Sequence, residues 1–276
     1  MNYTAAFIGG GNMGGALIRG LIAKGLSAGR ISVGEAVQAR RIALADELGV
    51  HVSADNREVV EGADLVVLAV KPQDMATTVR ALAPVLTQRR PLVLSIAAGI
   101  RVADIQGWCG PGIAVVRAMP NRPALNNAGA TGLYAPGGLL PEQRKLAEDT
   151  LAAVGTTVWV TEEDALDVVT ALSGSGPAYF FLLAELMTDA AVNLGLTRES
   201  ARELAIQTLF GSGRMGRDSD GDLARLRAEV TSKGGTTEAA LRVFDASNLR
   251  GIVAAALKAA TDRGREMAQA FGKTTT

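Results

Sequence analysis

Phe7-Ile-Gly-Gly-Gly-Asn-Met-Gly14 is the stretch whose reading decides the fold. A short apolar run ends in three spaced glycines, Gly9, Gly11 and Gly14, and a helical pattern begins at once. A dinucleotide-binding turn needs a tight bend at the first glycine, bare backbone at the second where pyrophosphate approaches, and close helix–strand packing at the third. The free N–H groups opening the next helix then hold the phosphates. Glycine turns also occur where nothing binds, so the flanks matter. Tyr3–Ile8 reads as a strand, Ala16, Leu17, Leu21 and Ile22 give one apolar helical face, and Ile31–Val33 reads as a second strand.

Working outward, short β-branched runs alternate with helical stretches, the signature of a doubly wound, mostly parallel α/β sheet. The remaining strand candidates are Val50–Val52, Asp64–Ala69, Leu92–Ile96, Ile113–Arg117, Gly129–Leu133 and Thr157–Val160. Ala36–Leu48, Gln73–Pro84 and Glu142–Val154 read as helices between them. From Glu162 the strand signal stops, and Pro177–Leu194, Arg198–Gly213, Leu223–Val230, Glu238–Phe244 and Leu249–Phe271 read as helices. The expected division is a Rossmann domain over 1–161 and an all-α domain over 162–276. In the last helix Ile252, Val253, Ala256, Leu257 and Ala260 recur at helical spacing. A small helical domain with such a face completes its core against a second subunit. The terminal Lys273-Thr-Thr-Thr is expected to fray.

The chain has 276 residues, with 28 Lys plus Arg balancing 28 Asp plus Glu. No net field draws it to nucleic acid or to an anionic membrane. One cysteine, Cys109, excludes an intrachain disulfide, and with one histidine, His51, the usual zinc clusters cannot be assembled, so no metal is expected. The first residues lack the pattern of a signal peptide, and no apolar run approaches membrane-spanning length. A soluble cytoplasmic protein is expected.

Coenzyme choice stays open. Glu35, about twenty residues past the glycine turn, favours NAD by taking ribose hydroxyls; with Arg40 or Arg41 closing over the ribose, NADP is accepted instead. Leu68-Ala-Val-Lys-Pro72 and Ser95-Ile-Ala-Ala-Gly99 end two buried strands, where an open α/β sheet binds its ligand, so the first tip is expected to face the nicotinamide. In the helical region, Leu172-Ser-Gly-Ser-Gly-Pro-Ala178 and Thr231-Ser-Lys-Gly-Gly-Thr-Thr237 each open a helix. Both are denser in Ser, Gly and Thr than a cap requires, which suits a small carboxylate at the positive end of a helix. His51, between Val50 and Val52, reads as structural, with nothing acidic placed to form a relay. Without a base for an alcohol proton, hydride addition to a protonated imine fits best, because its carbon is already electrophilic.

FIGGGNMGGAL, LAVKP (68–72), SIAAGI (95–100), the Met119-Pro-Asn121 turn with Pro123 and Ala124, ALSGSGPAY (171–179) and VTSKGGTT (230–237) together resemble the Δ1-pyrroline-5-carboxylate reductases. The resemblance spans nearly the whole chain. It implies reduction of pyrroline-5-carboxylate to L-proline by NADPH or NADH, in a homodimer often built into a larger ring. It places the pyrophosphate loop on Ile8, Gly9, Gly10, Gly11, Asn12 and Met13, and a coenzyme contact on Asn56. The walls around nicotinamide fall on Ala69, Val70, Lys71 and Pro72 with Ile96, Ala97 and Ala98. Substrate contacts fall on Glu163, Ser232, Gly234, Gly235, Thr236 and Thr237, with the Thr237 hydroxyl near the ring nitrogen as the catalytic partner; Asp220 lies near the same pocket. Lys233 stands where the family loop has Pro, and Arg122 where it has Thr. A β-hydroxyacid dehydrogenase needs a lysine on the first long helix of its second domain, and Pro177–Leu194 has none. A non-catalytic NAD(P)-binding regulator would leave both Ser/Gly/Thr loops unused.

Overall fold

The computed structural model describes residues 2–273. Thr274, Thr275 and Thr276 of the tail expected to fray lie outside the described residues. Ala5–Ile8 (β1) runs into Asn12–Ala23 (α1), followed by Ile31–Gly34 (β2), Gln38–Leu48 (α2), His51–Ser53 (β3), Asn56–Val60 (α3) and Leu65–Leu68 (β4). Pro72–Arg89 (α4), Leu92–Ser95 (β5), Val102–Cys109 (α5), Val115–Met119 (β6), Gly129–Tyr134 (β7), Pro141–Ala152 (α6) and Gly155–Trp159 (β8) complete the alternating part. The rest is helical: Ala165–Val169 (α7), Gly176–Asn193 (α8), Arg198–Asp218 (α9), Leu223–Glu229 (α10), Thr236–Ala246 (α11) and Leu249–Lys273 (α12).

Every expected strand occurs, with bounds shifted by a residue or two at most ends, in one sheet ordered β3-β2-β1-β4-β5-β6-β7-β8. All neighbours are parallel except β6 and β7. The inner strands β1, β4, β5 and β6 are buried on both faces, as βαβ crossovers require, whereas the edge strands β3 and β8 are partly exposed. One face packs Phe7, Leu17, Leu21, Val67, Leu94 and Val116 together; the other packs Ile8, Val66, Leu68, Met75, Leu82 and Ile105. Burying each such side chain contributes about 1.5–3 kcal/mol.

Two compact units emerge: the chain through Gly174 together with the chain from Ala260 onward, and Ser175–Ala259. The division read at 161/162 thus differs from the observed one. Short α7 stays with the sheet because Gly132 of β7 leaves room for Leu166 and Val169; a Cβ there would come within 2.8 Å of Val169. The end of α12 also belongs to the sheet unit, where Ala268 is buried and a Cβ on Gly99 would meet the Phe271 ring at 3.0 Å.

One expectation is corrected. The helical run 165–193 is long and apolar enough, by length and composition, to cross a membrane, with a mean hydropathy of 1.3. The sequence shows only Pro177–Leu194 as helical, whereas in the structure α7 and the π-helical turn Thr170–Gly174 precede α8 and lengthen the run.

Candidate active site

The sheet order reverses between β1 and β4, and the tips of β2, β1, β4 and β5 meet at their carboxyl edge. Backbone bonds tie these tips in series: Gly9 N–H donates to Gly34 O at 2.8 Å, Ala69 N–H to Ile8 O at 2.8 Å, and Ile96 N–H to Leu68 O at 3.1 Å. This brings the glycine turn, Ala69–Pro72 and Ile96–Ala98 to one crevice, where an open α/β sheet binds its ligand.

The turn fits a dinucleotide by shape. Gly9 has φ +103°, and a Cβ on it would sit 2.7 Å from Ala69 O. A Cβ on Gly14 would sit 2.5 Å from Gly9 O, whereas Gly11 faces open space on the side a pyrophosphate would take. Gly11 caps α1 without any side-chain bond, so the first-turn N–H groups at Asn12 and Met13 are left for an anion. Asn56 opens α3, and its carboxamide lies against Gly34 at the β2 tip, in space that any other residue at 34 would fill. Lys71 caps α4 with Pro72 at its first position, and the Lys71 side chain is exposed.

Glu35, expected to favour NAD by taking ribose hydroxyls, has both carboxylate oxygens bonded to backbone N–H groups of neighbouring turns. It is 7% exposed. Its Oε2 accepts from Gly10 N–H at 3.0 Å and its Oε1 from Val37 N–H at 2.9 Å. The carboxylate therefore ties the glycine loop to the turn after β2. Arg41 donates to the carbonyls of Glu35 and Ala36 at 2.6 and 2.8 Å, and exposed Arg40 approaches Glu35 Oε2 at 4.0 Å.

In the helical unit, Gly235 caps α11 with no side-chain bond, and Gly234 has φ +75°, a conformation that suits glycine. The N–H groups of Thr236 and Thr237 open the helix beside exposed Ser232 and Lys233. Gly234 N–H, expected to hold a substrate carboxylate, donates instead to Glu238 Oε2 at 2.6 Å. Asp220 accepts from Arg225 at 2.9 Å, which holds its carboxyl below the usual carboxylate range. His51 is exposed on β3, with Glu58 Oε1 3.4 Å from its Nε2, so an acidic neighbour exists although none was expected. His51 lies on the edge strand β3 and Glu58 on α3 beside it.

The residue that sequence reasoning missed is Arg117. It interrupts the apolar run Val115-Val116-Arg117-Ala118-Met119 and is 2% exposed, among the largest fully buried side chains. Arg117 Nη1 donates to Glu163 Oε1 at 3.1 Å, and Nη2 lies 3.8 Å from Asp167 Oδ1. Arg101 holds the other side of the cluster, donating to Asp167 Oδ2 at 3.0 Å and to exposed Asp164 at 2.7 Å. Glu163 Oε1 also accepts from Val102 N–H at 2.9 Å. A charged residue inside a buried strand was the available signal, since such a group is retained only when paired.

A parallel sheet with a glycine cradle at its switch point defines a Rossmann-type nicotinamide oxidoreductase, and residues 4–99 match the family model described as NADP oxidoreductase, coenzyme F420-dependent. Residues 163–267 match the model described as pyrroline-5-carboxylate reductase dimerisation. The pyrroline-5-carboxylate reductase of Pseudomonas aeruginosa is 46% identical over 268 residues, covering 97% of this chain and 98% of that protein. A solved pyrroline-5-carboxylate reductase from Coxiella burnetii superposes with a TM-score of 0.94 at 42% identity, covering 97% of this chain and 99% of that one. The Plasmodium falciparum pyrroline carboxylate reductase, solved with NADP bound, superposes at 0.82 with 27% identity, over 97% and 98%. The chain belongs to the pyrroline-5-carboxylate reductase family.

Proposed function

We propose that this chain reduces L-1-pyrroline-5-carboxylate to L-proline with NADPH or NADH, as a cytoplasmic homodimer. The observation that carries this reading is the full-length match to pyrroline-5-carboxylate reductases, which includes the helical half as well as the dinucleotide half. When bound, the reduced nicotinamide supplies a hydride. The chain's own residues bind and orient. Ile8–Gly14 hold the pyrophosphate through the bare backbone and the free N–H groups of α1. Asn56 meets the coenzyme, while Ala69–Pro72 and Ile96–Ala98 wall the nicotinamide. The backbone of Gly235–Thr237, with Ser232, takes the substrate carboxylate, and the Thr237 hydroxyl sits beside the ring nitrogen, where it can donate to the lone pair that forms on reduction.

The carbon of the protonated C=N bond accepts hydride, and the nitrogen keeps its proton as the π pair becomes its lone pair. No strong base is needed, so position supplies most of the acceleration. The exposed apolar helices, including the run 165–193, are read as the surface that a second copy covers. Adding pyrroline-5-carboxylate to the purified protein with NADPH, and separately with NADH, and following nicotinamide absorbance tests the reading. Oxidation of at least one nucleotide with proline formed is the expected result, and no oxidation of either would overturn it.

A further inference from the structure

A guanidinium inside a sheet is costly to bury, and an apolar residue of similar volume would do as well or better for stability alone. The place of Arg117 gives a reason for keeping it. Arg117 pairs in register with Ser95 of β5, so both side chains leave the sheet on the same face. Ser95 Oγ accepts from Ala97 N–H at 3.4 Å, inside the turn that walls the nicotinamide. That turn ends at Val102, whose N–H is bonded to Glu163 Oε1. Arg117 therefore sits under the turn and holds the carboxylate bonded to its far end.

Both donors to Glu163, Arg117 Nη1 and Val102 N–H, converge on Oε1. Oε2 is left for another donor, on a residue 19% exposed. Asp167, 3% exposed, occupies the second arm of Arg117 and is itself held by Arg101, so the guanidinium cannot swing away.

We infer that Arg117 is a positioning residue: with Asp167 and Arg101 behind it, it aims the free oxygen of Glu163 at the N–H of the cyclic iminium substrate beside the nicotinamide wall. The inference rests on the reading that pyrroline-5-carboxylate is the substrate and that Glu163 meets it. Locking a three-torsion side chain in this way removes freedom that substrate binding would otherwise have to remove. The Val102 N–H bond anchors the same carboxylate at the start of α5, the helix that follows the Ile96–Ala98 turn.

The test is a mutant cycle on the full-length enzyme with Arg117→Met, Arg117→Lys, Glu163→Gln and the double variant Arg117→Met/Glu163→Gln. Arg117→Met and Glu163→Gln are each expected to raise KM for pyrroline-5-carboxylate about tenfold or more. The NADPH dissociation constant, read by fluorescence, should stay within about twofold. The double variant should be no worse than Glu163→Gln alone, because Arg117 acts through Glu163. Arg117→Lys, which keeps one cationic donor, should recover part of the loss. An unchanged KM in Arg117→Met, or defects that multiply in the double variant, overturns the assignment. If Arg117→Met does not fold, the same cycle built on Arg117→Lys decides between these outcomes. A wild-type protein that does not reduce pyrroline-5-carboxylate overturns the substrate reading and this inference with it, whereas an active wild type with an indifferent Arg117 overturns this inference alone.

Discussion

The sheet unit and the helical unit solve the burial problem in opposite ways. In the sheet unit Phe7, Ile8, Leu65 and Leu68 are fully covered by neighbours from the same chain. In the helical unit Phe181 is 65% exposed and Phe210 61%, and few residues between 175 and 259 are buried. The first unit has a core of its own. The second carries apolar surface well beyond what monomers expose, and a match to a dimerisation family over 163–267 accounts for it. The glycine crevice accordingly stands on backbone fixed by a closed core, while the Thr231–Thr237 loop stands on helices that this chain alone leaves largely uncovered.

The contrast is broken most directly at the helical surface. If a second copy covers this surface, Phe181→Asp or Phe210→Asp places an unpaired carboxylate beneath it, at a cost of about 3 kcal/mol or more. Sedimentation equilibrium is expected to show monomer, with loss of turnover and a lower Tm. A dimer that survives both substitutions would mean that these helices are covered in some other way.

Thr237→Ala separates the chemistry of the helical unit from its packing. The hydroxyl makes no cap bond to α11. Turnover is expected to fall about 10- to 100-fold with Tm nearly unchanged; normal kinetics would remove Thr237 from the site. In the sheet unit, Glu35→Gln weakens the clamp on Gly10 and Val37. KM for NADPH and NADH should rise together, by up to about tenfold, because the carboxylate bonds the loop that both coenzymes would use. A change in the NADPH-to-NADH ratio without loss of affinity for either would contradict the geometry.

The smallest effect reads the closure of the sheet core. Cys109 is buried, and burial pushes its thiol from 9.0 up to about 11. Between those values the unfolded thiol ionises while the native one keeps its proton. Stability present below pH 9 should therefore decline as pH rises toward about 11, and Cys109→Ala should remove that share of the decline in alkaline denaturation curves. Burial raises Tyr3 in the same direction, so the cysteine's share is the difference between the two proteins.

Periodicity made the sheet legible, because strands such as Leu65–Leu68 are continuous β-branched or aliphatic runs bounded by turn residues. Gln73–Pro84 was read short, since proline commonly ends a helix; α4 continues to Arg89 because Leu82 and Leu86 are buried on either side of Pro84, which offsets the lost backbone bond. Short α5 and α7 gave too few turns to show a period. The glycine turn was legible because backbone geometry, which glycine spacing encodes, makes that site. Arg117 was not, because its partner Glu163 is 46 residues away and only the fold brings them together. Glu35 was legible in position but not in direction, since no local pattern tells a carboxylate facing ribose from one facing its own loop.

Hydride transfer from the sheet unit's coenzyme to the imine carbon is the claim on which the rest depends, and isotopic labelling tests it most directly. With NADPH carrying deuterium at the transferable position of the nicotinamide, pyrroline-5-carboxylate should yield L-proline with one deuterium on the former C=N carbon, seen by mass spectrometry and NMR. Proline without the label, or no proline, would contradict the account.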